Sequence, residues 1–482
     1  MKSIDVTLVY PKPTLDSPQK APALSMFYPG ASLEKAGFEV EYSDERFDPR
    51  SRTIDLAKKS EIVGLSSMTG HQIGEAHDIL VQIREANPEA ITVLGGVHPT
   101  ILPKQCLSEA NLIDFVVLGE GEKNTVDLVK AIKSGQTDFT DVAGIGWKKN
   151  GVPVVNERCA FINPAEIPFP VTEKNKHYFE IAAKNNEMAF PSSRGCPHKC
   201  RFCYNMMFNR HTWRPMPLEK WSAEVTMLKS MFEFSHLAMG DDNIGPNVER
   251  IKGICNTFKS LDLTWHTGIR CDYITRELVK IMDDGGCRGV LFGVESGNDR
   301  VLLEIVGKDY REGVESTRKA ARIMGETNIS SIYSFMCNLP TETHDELLQS
   351  MELADYIYNV DKNARISFYV YAPYPGSEMY ELAVREGFKE PTDMKGWSRI
   401  SLSNAENPVT ENLYYLSGLR FRGKKGDRTD QNFPGLKRLI IAPFELEAKF
   451  RWRMRWIDNY GLEKNAVKKL FNWASDNALK KT

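Results

Sequence analysis

The sequence predicts an α/β protein made of two successive runs of alternating strands and helices. Three observations carry this. Short apolar runs recur with helical patterns of roughly 10–20 residues between them, the mark of βαβ units and parallel sheets. Glycines cluster just past the ends of those runs, where open α/β sheets bind ligands. A proline-rich stretch at residues 162–170 (INPAEIPFP) then separates the two runs.

The chain has 482 residues, room for two or three domains at ~150 residues each. Its 62 Lys+Arg against 64 Asp+Glu leave a net charge of -2, so no global basic field exists to recruit nucleic acid. No apolar run approaches the roughly 18 residues of a membrane span, and the first residues lack a signal-peptide pattern. A cytoplasmic protein is expected. Nine cysteines are too few for a disulfide scaffold, and a tight group of them in a reducing compartment reads as metal binding or catalysis.

In the first run, Ile4–Tyr10 is a strand, Ala31–Ala36 lies in a helix ending near Gly37, and Glu39–Tyr42 is extended again. Ile62–Ser66 is the third strand, followed by a helix over Ile73–Ala86 that stops before Pro88. Ile91–Leu94 runs into Gly95-Gly96, and Phe115–Leu118 into Gly119-Glu120-Gly121. Residues 1–135 thus read as one doubly wound domain. Residues 136–188 read as a linker, with Val142–Trp147 and Val152–Val155 forming a hairpin around Lys149-Asn150-Gly151. From 189 to 390 alternation returns, with strands at Glu187–Pro191, His236–Met239, Thr264–Gly268, Gly289–Val294, Ile329–Met336 and Ile366–Ala372. Six βα units make a partial barrel, short of the eight that close a full one. Residues 391–482 are expected to be helical. Residues 417–482 carry sixteen basic and seven acidic side chains, interleaved with Phe444, Phe450, Trp452, Trp456 and Trp473. That pattern is either a helical cap with a solvated basic face or a surface for peripheral contact with anionic lipid or substrate.

The richest segment is Ser193-Arg194-Gly195-Cys196-Pro197-His198-Lys199-Cys200-Arg201-Phe202-Cys203-Tyr204. Three cysteines at C-x3-C-x2-C follow a strand directly, hence on a loop. Three thiolates leave one iron of a four-iron cluster open, whereas a fully ligated cluster or structural zinc site takes four donors. His198 would have to complete a zinc site from between two of the cysteines, an awkward wrap. Cys255, Cys271, Cys287 and Cys337 stand singly and read as small buried hydrophobes, with Cys271 and Cys337 also near strand ends. Cys106 and Cys159 show no ligand spacing.

This motif, with an aromatic before its last cysteine and a six-unit βα repeat behind it, resembles the radical S-adenosylmethionine (SAM) superfamily. The resemblance implies a 4Fe-4S cluster on Cys196, Cys200 and Cys203 whose open iron binds SAM. Reduction of the cluster, by a flavodoxin- or ferredoxin-type one-electron donor, would cleave SAM to a 5′-deoxyadenosyl radical. It further implies SAM contacts from Phe202, Tyr204, Asp241, Asp242, Arg270, Glu295 and Ser296. Asn338-Leu339-Pro340-Thr341-Glu342-Thr343 is similar to a Gly-Leu-Pro-Gly-Glu-Thr pattern, with two of its glycines replaced. Tyr333, Tyr371 and Tyr374 are either cavity-lining or core aromatics.

The first domain has no G-x-G-x-x-G after its first strand. Its strand-end segments resemble instead the Rossmann-like cobalamin-binding domain joined to many radical SAM enzymes. The residues implied at the corrin are Ser66, Thr69, Gly70, Gly95, Gly96, His98, Gly119, Glu120 and Gly121. The D-x-H-x-x-G loop of cobalamin mutases is missing, since no histidine precedes His71. His71 and His98 are each a packing residue or a corrin contact. The leading activity implied is methylation of an unactivated carbon of a small-molecule or lipid-like intermediate. Two alternatives stay open: a ring-forming, oxidising or carbon–carbon coupling enzyme similar to the anaerobic magnesium-protoporphyrin monomethyl ester cyclase, and a non-catalytic corrinoid or iron–sulfur carrier. A methylthiotransferase is excluded, because residues 1–135 hold only Cys106 where that class needs three further cluster cysteines.

Overall fold

Both faces of the first strands are largely buried, in a parallel sheet with helices on either side. In a computed structural model, residues 4–13, 19–109, 111–245 and 247–400 are described, with 413, 416, 417, 420, 421, 446–455 and 457 beyond them. Seven strands form the first sheet: β1 (Ile4–Tyr10), β2 (Val40–Asp44), β3 (Ser60–Ser66), β4 (Ile91–Gly95), β5 (Phe115–Val117), β6 (Ile145–Lys149) and β7 (Val152–Val155). Their order is β2-β1-β3-β4-β5-β6-β7. The pairs from β2 to β5 are parallel, while β5–β6 and β6–β7 are antiparallel.

The hairpin of the expected linker is therefore the edge of the first sheet. Sequence pattern showed the turn but not its docking, which depends on Trp147 and Ile145 burying beside Phe115 and Phe139. Asn150 and Gly151 take φ of 53° and 81°, as a two-residue turn with both central residues left-handed requires.

Helix α1 (Leu24–Lys35) and helix α2 (Arg50–Lys59) flank the early strands. Helix α3 (His71–Ala86) presents Ile73, Ala76, Ile79, Leu80 and Ile83 at helical spacing to Val63, Leu65, Leu94 and Val116 of the sheet. Met394 and Trp397 join this same core from a returning segment late in the chain.

The chain divides into two compact units. The first comprises Met1–Gly268, Asp284–Gly286 and Pro373–Ser401. Besides the seven-stranded sheet it holds three parallel strands, β8 (Met188–Ala189), β11 (His236–Ala238) and β12 (Thr264–Gly268), with β11 in the middle. A short antiparallel pair, β9 (Ser193–Arg194) and β10 (Arg214–Pro215), carries the cysteine loop between its strands. The second unit holds parallel strands β13 (Cys287–Glu295), β14 (Ser330–Cys337) and β15 (Ala364–Val370), with β14 in the middle. The expected six strands of the partial barrel are thus all present. Tyr333 is fully buried, stacks on Phe292 at 5.1 Å and donates to Asp361, so it is a core residue.

Of the C-terminal segment, Met394–Trp397 and residues 446–453 are helical, while Phe444, Trp456 and Trp473 lie outside the described residues. Trp452 is buried against Phe368 and Phe421, and its Nε1 donates to Asp355. Arg420 and Arg455 pair with the same carboxylate. Trp452 therefore serves packing rather than lipid contact. No helix among the described residues is long and apolar enough to cross a membrane.

Two of the second unit's loop residues carry strain. Asn338 and Thr341, which stand where the related pattern has glycine, keep left-handed φ of 62° and 63°. For a β-branched residue that conformation is a genuine outlier. Thr341→Gly should therefore stabilise the protein by up to ~1 kcal/mol, and Thr341→Val should not. Chemical denaturation of the three proteins decides, and a loss for the glycine variant would refute the strain.

Candidate cofactor site at the cysteine loop

The cysteine loop is forced into a tight turn from its first residue. Gly195 has φ of 77°, and a Cβ there would lie 2.1 Å from the Thr212 carbonyl, so only glycine fits. The loop then closes on itself through Cys203 N–H to Cys200 O. Cys196, Cys200 and Cys203 are all half-buried. Asn243 Nδ2 donates to Cys196 Sγ at 3.6 Å. Burial pushes the Cys203 thiol up to about 12, so taking up a metal there releases a proton.

Among the described residues no three His, Cys, Asp or Glu side chains converge on one metal ion. A single zinc would need such convergence, with sulfurs at ~2.3 Å from one centre. A four-iron cluster gives each thiolate its own iron and makes no such demand. The donor set, three thiols of one loop, fits a cluster with one open iron.

Asp241 and Asp242, both expected at SAM, brace this loop. Asp241 is buried and accepts from Ser192 N–H, Ser192 Oγ and Ser193 Oγ at 2.5–3.0 Å. Burial raises its pKa to about 6, against the opposing pull of those donors. Asp242 accepts from Gly195 N–H and from the Tyr204 hydroxyl at 2.6 Å. A carboxylate at a strand end carries no sequence signal that separates these two duties.

Two half-buried arginines tie the loop's flanks to the end of β5. Arg194 reaches Glu120 at 2.9 Å and Glu122 at 2.5 Å, and Arg214 reaches Glu120 at 2.8 Å. Burial opposes the Arg194 charge, but Glu122 and Glu120 outweigh it and its pKa rises. Its guanidinium also lies over the ring of Tyr28, 4.9 Å from the centroid.

Beside this network opens a cavity of about 300 Å³. One wall comes from strand ends, with Ser66, Gly95, Gly96, Gly119, Glu120 and Gly121. The other comes from Arg194, Tyr204, Phe208, Asn209, Gly240 and Asp242. A Cβ on Gly95 would meet nothing nearer than 3.8 Å and on Gly240 nothing within 4 Å, so both leave open space rather than relieve packing. Helix α1 adds Ser25, Tyr28 and Pro29, which sequence reasoning missed; the proline inside that helix was the available signal.

Thr69, Gly70 and His98 are not brought to the cavity. His98 is fully buried, bonds Thr69 Oγ1 through Nδ1 at 2.8 Å and packs on Trp397. Burial lowers its pKa to about 3, so it is a neutral packing residue. Gly70 faces the Ile400 carbonyl, where a Cβ would come within 3.1 Å. His71 lies 3.6 Å from Glu75 on the first turn of α3, and it too is absent from the cavity wall. Phe202 is half-buried and likewise off that wall.

Arg270, Glu295 and Ser296 belong to the second unit. Arg270 is buried, grips Asp272 through two bonds of 2.9 Å and reaches Asp309 at 3.2 Å. Glu295, with φ of 70°, is paired with buried Lys308 at 2.9 Å, a cation that sequence reasoning missed. Ser296 is fully buried against Ser350 and anchors the β13 end to the helix His344–Val360. The single cysteines Cys106, Cys255, Cys271, Cys287 and Cys337 are buried, as expected of core residues.

Comparison with known proteins decides the two halves. Residues 14–129 match the B12 binding domain family, and residues 190–354 match the Radical SAM superfamily. The chain joins a B12-binding domain to a radical SAM domain. Its cofactors are accordingly a 4Fe-4S cluster, SAM and cobalamin. It is 28% identical over 333 residues to an uncharacterized methyltransferase of Pyrococcus horikoshii, covering 67% of this chain and 69% of that one. It is 26% identical over 450 residues to cytidylyl-2-hydroxyethylphosphonate methyltransferase of Streptomyces wedmorensis, covering 80% and 83%. It is also 28% identical to the anaerobic magnesium-protoporphyrin IX monomethyl ester cyclase of Rubrivivax gelatinosus, covering 67% and 58%. The solved structure of the cobalamin-dependent SAM radical enzyme OxsB shares the fold, with a TM-score of 0.71 over 93% of this chain and 72% of that one, at 18% identity.

The charge network makes a quantitative prediction. Glu120→Ala leaves two half-buried guanidiniums short of a partner and should lower stability by roughly 2 kcal/mol, whereas Glu157→Ala at an exposed site should change little. Comparable unfolding midpoints for the two variants would contradict it.

Proposed function

We propose that the protein methylates an unactivated carbon of a small-molecule or lipid-like biosynthetic intermediate. The observation that carries this reading is one cavity walled on one side by strand ends of the B12-binding region and on the other by flanks of the cysteine loop. When bound, the cofactors would supply a hydrogen-abstracting 5′-deoxyadenosyl radical and a transferable methyl group.

Cys196, Cys200 and Cys203 are the proposed cluster ligands. Ser66, Gly95, Gly96, Gly119, Glu120 and Gly121 are proposed to cradle cobalamin, with Tyr28 and Arg194 fixing the cavity wall. Tyr204 and Asp242 are proposed to border SAM from the loop side. Asp241 holds the loop's first strand. Thr69 and His98 bond each other off the cavity wall, so neither is proposed as a corrin contact. We place the reaction in the cytoplasm, with an external one-electron carrier reducing the cluster. The proposed domain limits are 1–135, 136–188, 189–390 and 391–482, the second being structurally an extension of the first.

The magnesium-protoporphyrin cyclase among its relatives favours a second reading, ring formation or oxidation with the same cofactors. Product mass separates the two. Anaerobic incubation with SAM, cobalamin and candidate substrates should yield a product heavier by one methylene, with both S-adenosylhomocysteine and 5′-deoxyadenosine formed. Deoxyadenosine without S-adenosylhomocysteine or added carbon would favour the cyclase-like reading instead. Replacing any one of the three cysteines by Ala should abolish both iron binding and deoxyadenosine release. Continued release would overturn the ligand assignment.

A further inference from the structure

The helix over residues 446–453 has two faces of different character. Its inner face is fixed. Ala448 and Trp452 are buried four residues apart, and Trp452 packs on Phe368 and Phe421 while its Nε1 donates to Asp355. Residues three and four apart share one side of a helix, so this anchoring decides which side faces outward. Leu446 and Phe450, with Met454 in the turn that follows, form an outer row and are 68%, 57% and 60% exposed. Lys449 and Arg453 stand beside that row at the same spacing and are exposed too. Glu447 is the one acid among the described residues of this helix, and it is half-buried.

Large apolar side chains scattered singly on a surface are ordinary; three in one row are not. Three residues are too few for a stable protein interface, which needs about 800 Å² from each partner. A second copy of this face would also bring Lys449 and Arg453 against cations of their own kind. A lipid surface has no minimum area, and anionic headgroups would meet both cations while the apolar row enters the acyl boundary. Charge along the chain agrees: residues 417–482 hold sixteen basic and seven acidic side chains, although the whole chain stands at -2. We propose that the outer face of this helix rests on an anionic lipid surface. The contact is peripheral and reversible, since three apolar side chains fall short of a permanent anchor and no described helix can cross a membrane. It stands apart from the proposed methylation, because lipid binding needs neither cofactor nor substrate.

The test is co-sedimentation of the full-length protein with vesicles at low ionic strength. Phosphatidylcholine alone is compared with phosphatidylcholine mixed equally with phosphatidylglycerol. The wild type should bind the anionic vesicles, come off them in high salt, and leave the neutral ones alone. The double variants Phe450→Ser/Met454→Ser and Lys449→Glu/Arg453→Glu should each weaken vesicle affinity by at least about tenfold. All four side chains are exposed, so thermal unfolding midpoints should match the wild type, showing that the variants fold. Affinity equal to the wild type in either double variant would overturn the proposal; retained binding by the serine variant would leave only charge attraction from elsewhere on the chain. A wild-type dimer that the serine variant lacks would assign the row to a second copy. A lower unfolding midpoint for the serine variant would assign it to the chain's own packing. Either result overturns the lipid face.

Discussion

The rest of the site depends on one set of half-buried ion pairs, Arg194 and Arg214 against Glu120 and Glu122. These four residues lie at the end of β5 and on both strands of the β9–β10 pair, so they bind the two walls of the cavity to each other within the first unit. Their charges cancel. Set against well-packed apolar residues, buried pairs of this kind add little net stability, because desolvation offsets the attraction. Their value is directional. A bidentate guanidinium fixes its carboxylates in distance and angle, as an apolar contact cannot. Arg194 immediately precedes Gly195, so the register of the cysteine loop follows the register of that pair.

A second brace works at shorter range. Asp241 and Asp242 both leave the end of β11 and divide the loop between them, one taking Ser192 and Ser193, the other Gly195 and Tyr204. Tyr204 thereby has two roles at once: its hydroxyl is fixed on the loop side, while its side chain borders the cavity. Glu120 is also shared, as ion-pair acceptor and cavity wall. Bracing the loop and walling the cavity thus draw on the same side chains, and substitutions here will not separate cleanly into one effect or the other.

The strands, the cysteine loop and the glycine-rich strand ends were legible in the sequence because each is a local pattern. Apolar runs fix a strand, spacing fixes a ligand set, and a glycine pair marks a left-handed turn. What was not legible depends on partners far away in the chain. His98 followed two glycines and read as a corrin contact, but Trp397, almost 300 residues later, covers it. The hairpin was recognised, yet its place at the sheet edge follows from Trp147 meeting Phe139. Glu295 was read as a SAM contact, and Lys308 pairs with it from thirteen residues downstream. In each case residue type was read correctly and the long-range partner decided its use.

The strained residues point the same way by a different argument. Glu295, Asn338 and Thr341 all hold left-handed φ at the carboxyl ends of β13 and β14, and none is glycine. Each such residue costs on the order of 1–3 kcal/mol and persists only where its surroundings hold it there. At Glu295 those surroundings are visible. A register shift between Gly293 and Glu295 breaks the ladder, and Lys308 donates both to the Gly293 carbonyl and to the Glu295 carboxylate. Tyr310 donates to that same carbonyl. A strand end that needed only to stop would adopt a relaxed turn. This one is bent, and the bend is held by a buried cation whose bonds fix the carboxylate at the carboxyl end of the strand, where α/β sheets present ligand-binding groups. The strain at Glu295 is therefore local and accounted for by named bonds.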